Sequence, residues 1–278
     1  MSPYGRILAC CGGSSSWQPK EKTLPDGEPK AWDGANEGIT LESPPTTPVP
    51  STAPAAALSY EIRPLTQQDG PRMISFLRRL FFRDEPLNVA VQLVQPGEET
   101  CRELEDYCLS SLPDNLSLMA VDSASGELLA VCINGLHEPG GEAEGEAAAA
   151  QCPNPRFRRI LQLLTFVDAR ASAELASRFP DPADRRQLEV RVVSVDTAAR
   201  GRGLATALVS RSSELAKQHG IPLVRIDCTS HYSARAASRL GFECIFSVPY
   251  AQYERDGEVV FTPAEPHREV ATCILRVV

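Results

Sequence analysis

Residues 58–278 predict an α/β fold: a mixed, twisted sheet flanked by helices. Three observations support this. Short β-branched runs alternate with stretches of helical period. The run Val190–Val195 is apolar enough to be a strand buried on both faces, and it leads through Arg200-Gly-Arg-Gly-Leu-Ala205 into a helical pattern. The last two apolar runs, 244–248 and 270–277, suit antiparallel partners across a long connection, 250–266.

Taken in order, Tyr60 to Pro64 reads as the first strand. Thr66 caps a helix that runs to about Phe82, with Met73, Leu77, Leu80 and Phe81 on its buried stripe. Asp84-Glu85-Pro86 stops it, because proline drives the residue before it out of the α region. A second helix is expected from about Glu98 to Leu112, with Cys101, Leu104 and Cys108 inward. Leu116–Val121 and Glu127–Leu136 form a hairpin across Asp-Ser-Ala-Ser-Gly. Residues 138–150, acidic and rich in Gly and Ala, read as a mobile surface loop. Asn154-Pro155 opens a long helix with Phe157, Ile160, Leu161, Leu164, Ala171 and Leu175 on one face. After the central strand a helix carries Leu204, Leu208 and Leu215 on one face. Gly220 closes it in a left-handed cap and Pro222 prevents its return. Leu223–Cys228 is a further strand, and a short helix 234–240 ends at Gly241.

Composition narrows the function. The net charge is −8 with no polybasic block, which argues against nucleic acid or an anionic membrane as partner. No apolar run approaches the ~20 residues that span a bilayer. Four scattered histidines show no metal-ligand spacing, so no metal is expected. Nine cysteines form no C-x-x-C pair. With no signal-peptide pattern, they read as reduced, mostly buried thiols of a cytoplasmic protein, for which a monomer is favoured. Residues 1–57 hold nine of the 23 prolines and no periodic pattern, and are expected to be disordered. Cys10-Cys11 is either a palmitoylation site or two incidental thiols.

The strand–R-G-x-G–helix order makes an anion site. Gly201 and Gly203 lack Cβ, so their N–H groups can approach a ligand. The helix start adds free N–H donors and a partial positive charge, and Arg200 and Arg202 add full ones. No G-K-[ST] follows, which excludes a Walker loop, and Thr206 stands where a dinucleotide fingerprint wants Gly or Ala. On this string alone a phosphate cradle and an ordinary βα turn are equally good readings.

R-G-x-G-x-A after a hydrophobic strand resembles the acetyl-CoA motif of the GNAT superfamily. Phe81-Phe-Arg-Asp-Glu-Pro-Leu-Asn88, Ser230-His-Tyr-Ser-Ala-Arg235 with Leu240-Gly-Phe242, and Gly257-Glu-Val-Val-Phe261 resemble arthropod arylalkylamine (dopamine) N-acetyltransferases. The resemblance covers about 58–278. It implies a mostly antiparallel GNAT-like sheet, with acetyl-CoA as co-substrate on Val193, Ser194, Val195 and Arg200, Gly201, Arg202, Gly203, Leu204, Ala205 and Thr206. It also implies a small-molecule amine such as dopamine, serotonin, octopamine or tyramine as acceptor. Glu85 is then the catalytic base, with serine hydroxyls in the 229–233 run sharing the work.

The chemistry calls for such groups. At pH 7 roughly one alkylamine in a thousand is free base, so a general base helps. Backbone N–H groups near Val193–Val195 suit a developing oxyanion, and a hydroxyl among Thr229, Ser230 and Ser233 suits protonation of the leaving thiolate. Thr229 stands where the family has Ser. Ser233 is equally well read as the cap of a helix starting at Ala234. Glu189 is the rival base, or else a strand residue paired with Arg191. His231 is a weaker candidate for proton transfer. Transfer to another amine, including a polyamine, or from a longer acyl-CoA is the alternative. So is a non-catalytic CoA-binding module, against which an intact Glu85 and R-G-x-G argue.

Overall fold

The computed structural model describes residues 59–278. The expectations for residues 1–57, including Cys10 and Cys11, lie outside the described residues.

The chain begins with strand β1 (Tyr60–Pro64) and a 3-10 turn closed by a Thr66–Asp69 capping box, then helix α1 (Gly70–Arg79). A break at Leu80 (φ −120°, ψ −83°) separates α1 from α2 (Phe81–Asp84), so the single helix expected to Phe82 is in fact two. Glu85 is extended, as Pro86 requires, but proline does not end the helical region. It sits at the first position of α3 (Pro86–Ala90), where its missing N–H costs nothing. α4 (Arg102–Ser110), β2 (Leu118–Asp122) and β3 (Leu128–His137) follow within a few residues of their expected bounds. The stretch expected as a mobile surface loop is helix α5 (Glu142–Gln151), packed on α6 (Pro155–Arg178), which Asn154 caps. The C-terminal half comprises β4 (Gln187–Val195), α7 (Leu204–Gln218), β5 (Leu223–Cys228), α8 (His231–Arg239), β6 (Glu243–Pro249), a small hairpin β7 (Glu254–Arg255) and β8 (Glu258–Val259), and β9 (Glu269–Arg276).

Seven strands form one sheet in the order β1-β2-β3-β4-β5-β9-β6, in which only β4 and β5 are parallel. The expected β6–β9 antiparallel pair is present. One face carries α1, α4 and α6 over a core including Met73, Leu77, Leu104, Phe157 and Leu161. The other carries α7 and α8 over Leu188, Val190, Leu204 and Leu208. Six of the seven described cysteines are buried thiols, and Cys244 is partly so. Among the described residues no helix is long and apolar enough to cross a membrane, and no cluster of metal-binding side chains is present.

Two features of β4 position the site. Its parallel pairing with β5 ends at Val190↔Ile226, yet β4 continues to Val195 and β5 to Cys228, so the strands part. A bulge at Arg191, between the pairs Asn134↔Val190 and Ile133↔Val192, switches the side of the sheet that the buried valines face. Val190 thus joins the core beneath α7, and Val192 the core beneath α6.

Candidate active site

Where β4 and β5 part, a cavity of about 960 Å³ opens into the molecule, within the usual range for ligand sites. It reaches from the turn after β4 to the helices on the α6 face. Glu85, Thr229, Ser233, Val193–Val195, Arg200, Gly201, Gly203, Leu204, Ala205 and Thr206 all line it. Of the residues expected at the site, Arg202 and the weaker candidate His231 do not. Arg202 is exposed on the outer side of the turn.

The turn has the geometry its sequence predicts. Asp196 caps a 3-10 turn at Thr197–Ala199 through Ala198 N, 2.9 Å from its Oδ1. Gly201 (φ +75°) and Gly203 (φ +79°) then adopt left-handed conformations, with open space where a Cβ would stand. Gly203 is the residue before α7, whose first N–H groups lie at the cavity wall. This arrangement fits a pyrophosphate. Arg200 is engaged rather than free: it pairs with Asp84 Oδ2 at 2.6 Å and donates to Val195 O at 3.2 Å. The ion pair links the end of α2 to the turn.

β4 supplies the next part. Asp196 N donates to Leu129 O on β3. Strand alternation therefore turns the N–H groups of Val193 and Val195 the other way, to the edge that β5 has left.

Glu85 sits at the junction of α2 and α3, where its Oε2 caps α3 by accepting from Asn88 N at 2.7 Å. One side of the residue faces the cavity, while Oε1 is sheltered and accepts no hydrogen bond. Burial raises its pKa, against the opposing pull of the Asn88 and Leu87 amides and the neighbouring Thr229 hydroxyl. This is the shift a general base for an ammonium requires. Glu189 differs. It is ion-paired to Arg191 at 2.9 Å, and although burial pushes its pKa up, Arg191 and Arg225 outweigh that and lower it. A carboxylate so stabilised is a poor base, which leaves Glu85 the better-placed of the two.

The serine run is arranged differently from the sequence reading. α8 begins at His231, and Ser230 is its cap, accepting from Ser233 N at 3.0 Å. Ser233 is the third helical residue. Its hydroxyl closes the box by accepting from Ser230 N at 3.2 Å. The expected cap at Ser233 is thus one turn too late, because S-x-x-S lets either serine take that role. Thr229, the residue after β5, lines the cavity, and its carbonyl accepts from Tyr250 Oη at 2.7 Å. His231 is exposed and donates its backbone N–H to His267 Nδ1 at 3.2 Å.

The sequence reading missed two groups. Tyr250 is buried, and its pKa is raised by burial and then by Glu85. The second is a set of charged side chains lining the cavity from β5 and α6, Arg225, Asp227 and Asp168, which adjoin the Glu189–Arg191 pair anticipated from the sequence. The signal was present, since Glu189/Arg191 and Arg225/Asp227 are charged at i, i+2 within apolar runs. Gly135 lets the Arg191 guanidinium lie across β3, since a Cβ there would stand 2.4 Å from its Cζ. Phe81, Tyr107, Phe157, Leu161 and Leu164 form the apolar wall.

Solved structures share this architecture. Arylalkylamine N-acetyltransferase 2 from Aedes aegypti is 30% identical, with a TM-score of 0.72, over 79% of this chain and 99% of that one. The chain belongs to the GNAT acetyltransferase family. The profile described as acetyltransferase (GNAT) family matches residues 146–242, from α5 to the end of α8. Two further GNAT enzymes are similar at TM-score 0.69: the polyamine N-acetyltransferase of Drosophila melanogaster, which forms N-acetylagmatine (26% identity, 78% of this chain, 100% of that), and mosquito arylalkylamine N-acetyltransferase like 5b (25% identity, 78% and 100%). In this GNAT acetyltransferase, the family's mixed sheet is the one described above.

Proposed function

We propose that the protein transfers acetyl from acetyl-CoA directly to the primary amine of an arylalkylamine, with Glu85 as general base. The observation that carries this is one cavity joining three things: a glycine turn suited to pyrophosphate, the open β4 edge, and a base of raised pKa beside an aromatic wall. The similarity to arylalkylamine N-acetyltransferases supports the acceptor class.

Acetyl-CoA supplies the activated acetyl group, held by the Arg200–Thr206 turn and the Val193–Val195 edge. The N–H groups of Val193 and Val195 face the position where thioester oxygen charge would develop. Glu85, which lines the cavity beside the Thr229 hydroxyl, takes the proton from the ammonium, directly or through one water. Phe81 and Tyr107 receive the aromatic ring. A hydroxyl at Ser233 or Thr229 returns a proton to the departing thiolate. Among the described residues no cysteine lines the cavity, and burial raises the pKa of the Cys101 and Cys132 thiols to about 12, so transfer is direct, with no covalent enzyme intermediate. A thiol-release assay with acetyl-CoA and a panel of amines tests the proposal. Turnover with phenethylamine, tyramine, dopamine or serotonin supports it, and CoA binding with no release on any amine refutes it.

A further inference from the structure

One buried phenol stands behind the site without facing the cavity. Tyr250 is 2% exposed, opens the 3-10 turn Tyr250–Gln252 after β6, and takes no part in the cavity wall. Its backbone is held on both sides: the N–H donates to Arg268 O at 2.9 Å, and the carbonyl accepts from Tyr253 N at 3.2 Å. Its ring packs at a tilt on Phe261, with centroids 6.2 Å apart, and Tyr253 packs on Phe261 at 6.0 Å. Phe261 is buried and ends the Gly257-Glu-Val-Val-Phe261 string, to which the cavity itself gives no role.

The hydroxyl of this clamped ring has a definite target. Pairing of β5 with β4 ends at Val190↔Ile226, and with β9 at Cys228↔Ala271, so the Thr229 carbonyl lies beyond both ladders. Tyr250 Oη supplies the donor that the sheet does not, at 2.7 Å. Burial and the nearby Glu85 both raise the Tyr250 pKa, so the phenol stays neutral and keeps its proton for this bond. Phenylalanine would fill the same space. A buried phenol differs from it only in needing, and here finding, an acceptor.

Thr229 in turn stands beside Glu85, and its hydroxyl favours the ionised carboxylate against the effect of burial. Threonine is stiff about its first side-chain torsion, so a fixed backbone also fixes where its hydroxyl points.

We propose that Tyr250 is a positioning residue for the reaction: its hydroxyl pins the Thr229 backbone so that the Thr229 hydroxyl stays beside Glu85, and Phe261 holds the ring in place. The inference rests on Glu85 as the base of the acetyltransfer reading, and it gives the connection after β6 a part in the chemistry from outside the cavity wall. A carbon NMR titration of the full-length protein, labelled at glutamate Cδ, follows the Glu85 carboxyl itself, its signal assigned by its loss in Glu85→Gln. Thr229→Val keeps the side-chain shape and removes the hydroxyl. The Glu85 midpoint should then rise by about one pH unit, the worth of one hydrogen bond to a charged group. Tyr250→Phe keeps the ring on Phe261 and should raise the midpoint by part of that amount. The double variant should titrate where Thr229→Val does, because Tyr250 acts through Thr229. The acid limb of kcat/KM should move in the same order. Phe261→Leu leaves the hydroxyl and loosens the ring; it should shift the midpoint the same way, and it stands in for Tyr250→Phe should that variant melt early. Ring packing alone would lower the melting temperature and leave the midpoint where it was. A midpoint unmoved in a folded variant, or shifts that add in the double variant, overturns the proposal. The two readings fail separately: shifted midpoints in a protein that transfers to no amine would keep the positioning and refute acetyltransfer, whereas unmoved midpoints in an active enzyme would refute the positioning alone.

Discussion

Glu85→Gln is the substitution whose consequences are most fully determined. Glutamine keeps the carbonyl oxygen that accepts from Asn88 N, so α3 retains its cap. What disappears is the basic carboxylate itself, since an amide cannot take up the proton. Loss of a general base costs about 10²–10⁴-fold in kcat, or about 3–5 kcal/mol in the barrier. The affinity for acetyl-CoA should hardly move, since the turn and β4 edge are intact. Wild-type kcat/KM should fall with decreasing pH as Glu85 protonates, on a limb displaced above the usual carboxylate range, and that limb should be absent in the variant. Stability gives an independent check of sign. A carboxyl whose folded pKa is raised contributes stability below its unfolded pKa and loses it as pH rises through the folded one. The variant should therefore gain on the wild type in thermal melts at neutral pH, with the gain vanishing in acid. Near-normal turnover of Glu85→Gln with the acid limb preserved would refute the assignment, and abolition by Glu189→Gln without loss of folding would move the base to β4.

Other expectations follow from single features. Gly203→Val places a β-branched residue at φ +79°, where L side chains are strained, at the wall facing the phosphates; calorimetry should show a steep loss of CoA affinity with the fold retained. Ser230→Ala removes the α8 cap and should cost about 1 kcal/mol in denaturant unfolding. Ser233→Ala should lose more turnover than stability if its hydroxyl serves the leaving thiolate. Arg225→Leu leaves Asp168 and Asp227 unpaired and should destabilise by about 3–5 kcal/mol, read as a lower unfolding midpoint. Removing residues 1–57 should leave kcat/KM for the amine unchanged, since every residue argued for the site lies within 59–278; a large loss would show that the segment contributes to the site.

The sequence was most informative where one residue type has one physical use. Gly201 and Gly203 after a valine run, and Pro86 behind Glu85, each permit few backbones, and the structure shows the expected ones. It was misleading where a residue has two uses. Pro86 read as a stop, yet proline also opens helices, and α3 was missed. The apolar stripe through Leu80 hid the break there. α5, rich in Glu, Gly and Ala, has no apolar face to announce it. Only packing against α6 shows that this segment is a helix, with Gly145 at the cavity wall. On sequence Glu189 had a partner in Arg191, but Arg225 and Asp227 had no role, because a strand pattern does not show that α6 brings Asp168 over them.

The parting of β4 and β5 gives this sheet an internal margin. Strand edges normally lie on a sheet's rim, where unpaired N–H and C=O groups invite another chain. Here the Val193 and Val195 amides lie at the sheet's centre, reached through a cavity rather than from an open flank. A ligand carrying its own amides can continue the ladder that β5 abandons. The core hydrogen bonding of the enzyme would then be complete only with its co-substrate in place. Hydrogen exchange at these two amides should be fast in the free protein and slow with CoA bound, while their neighbours facing β3 stay protected in both states.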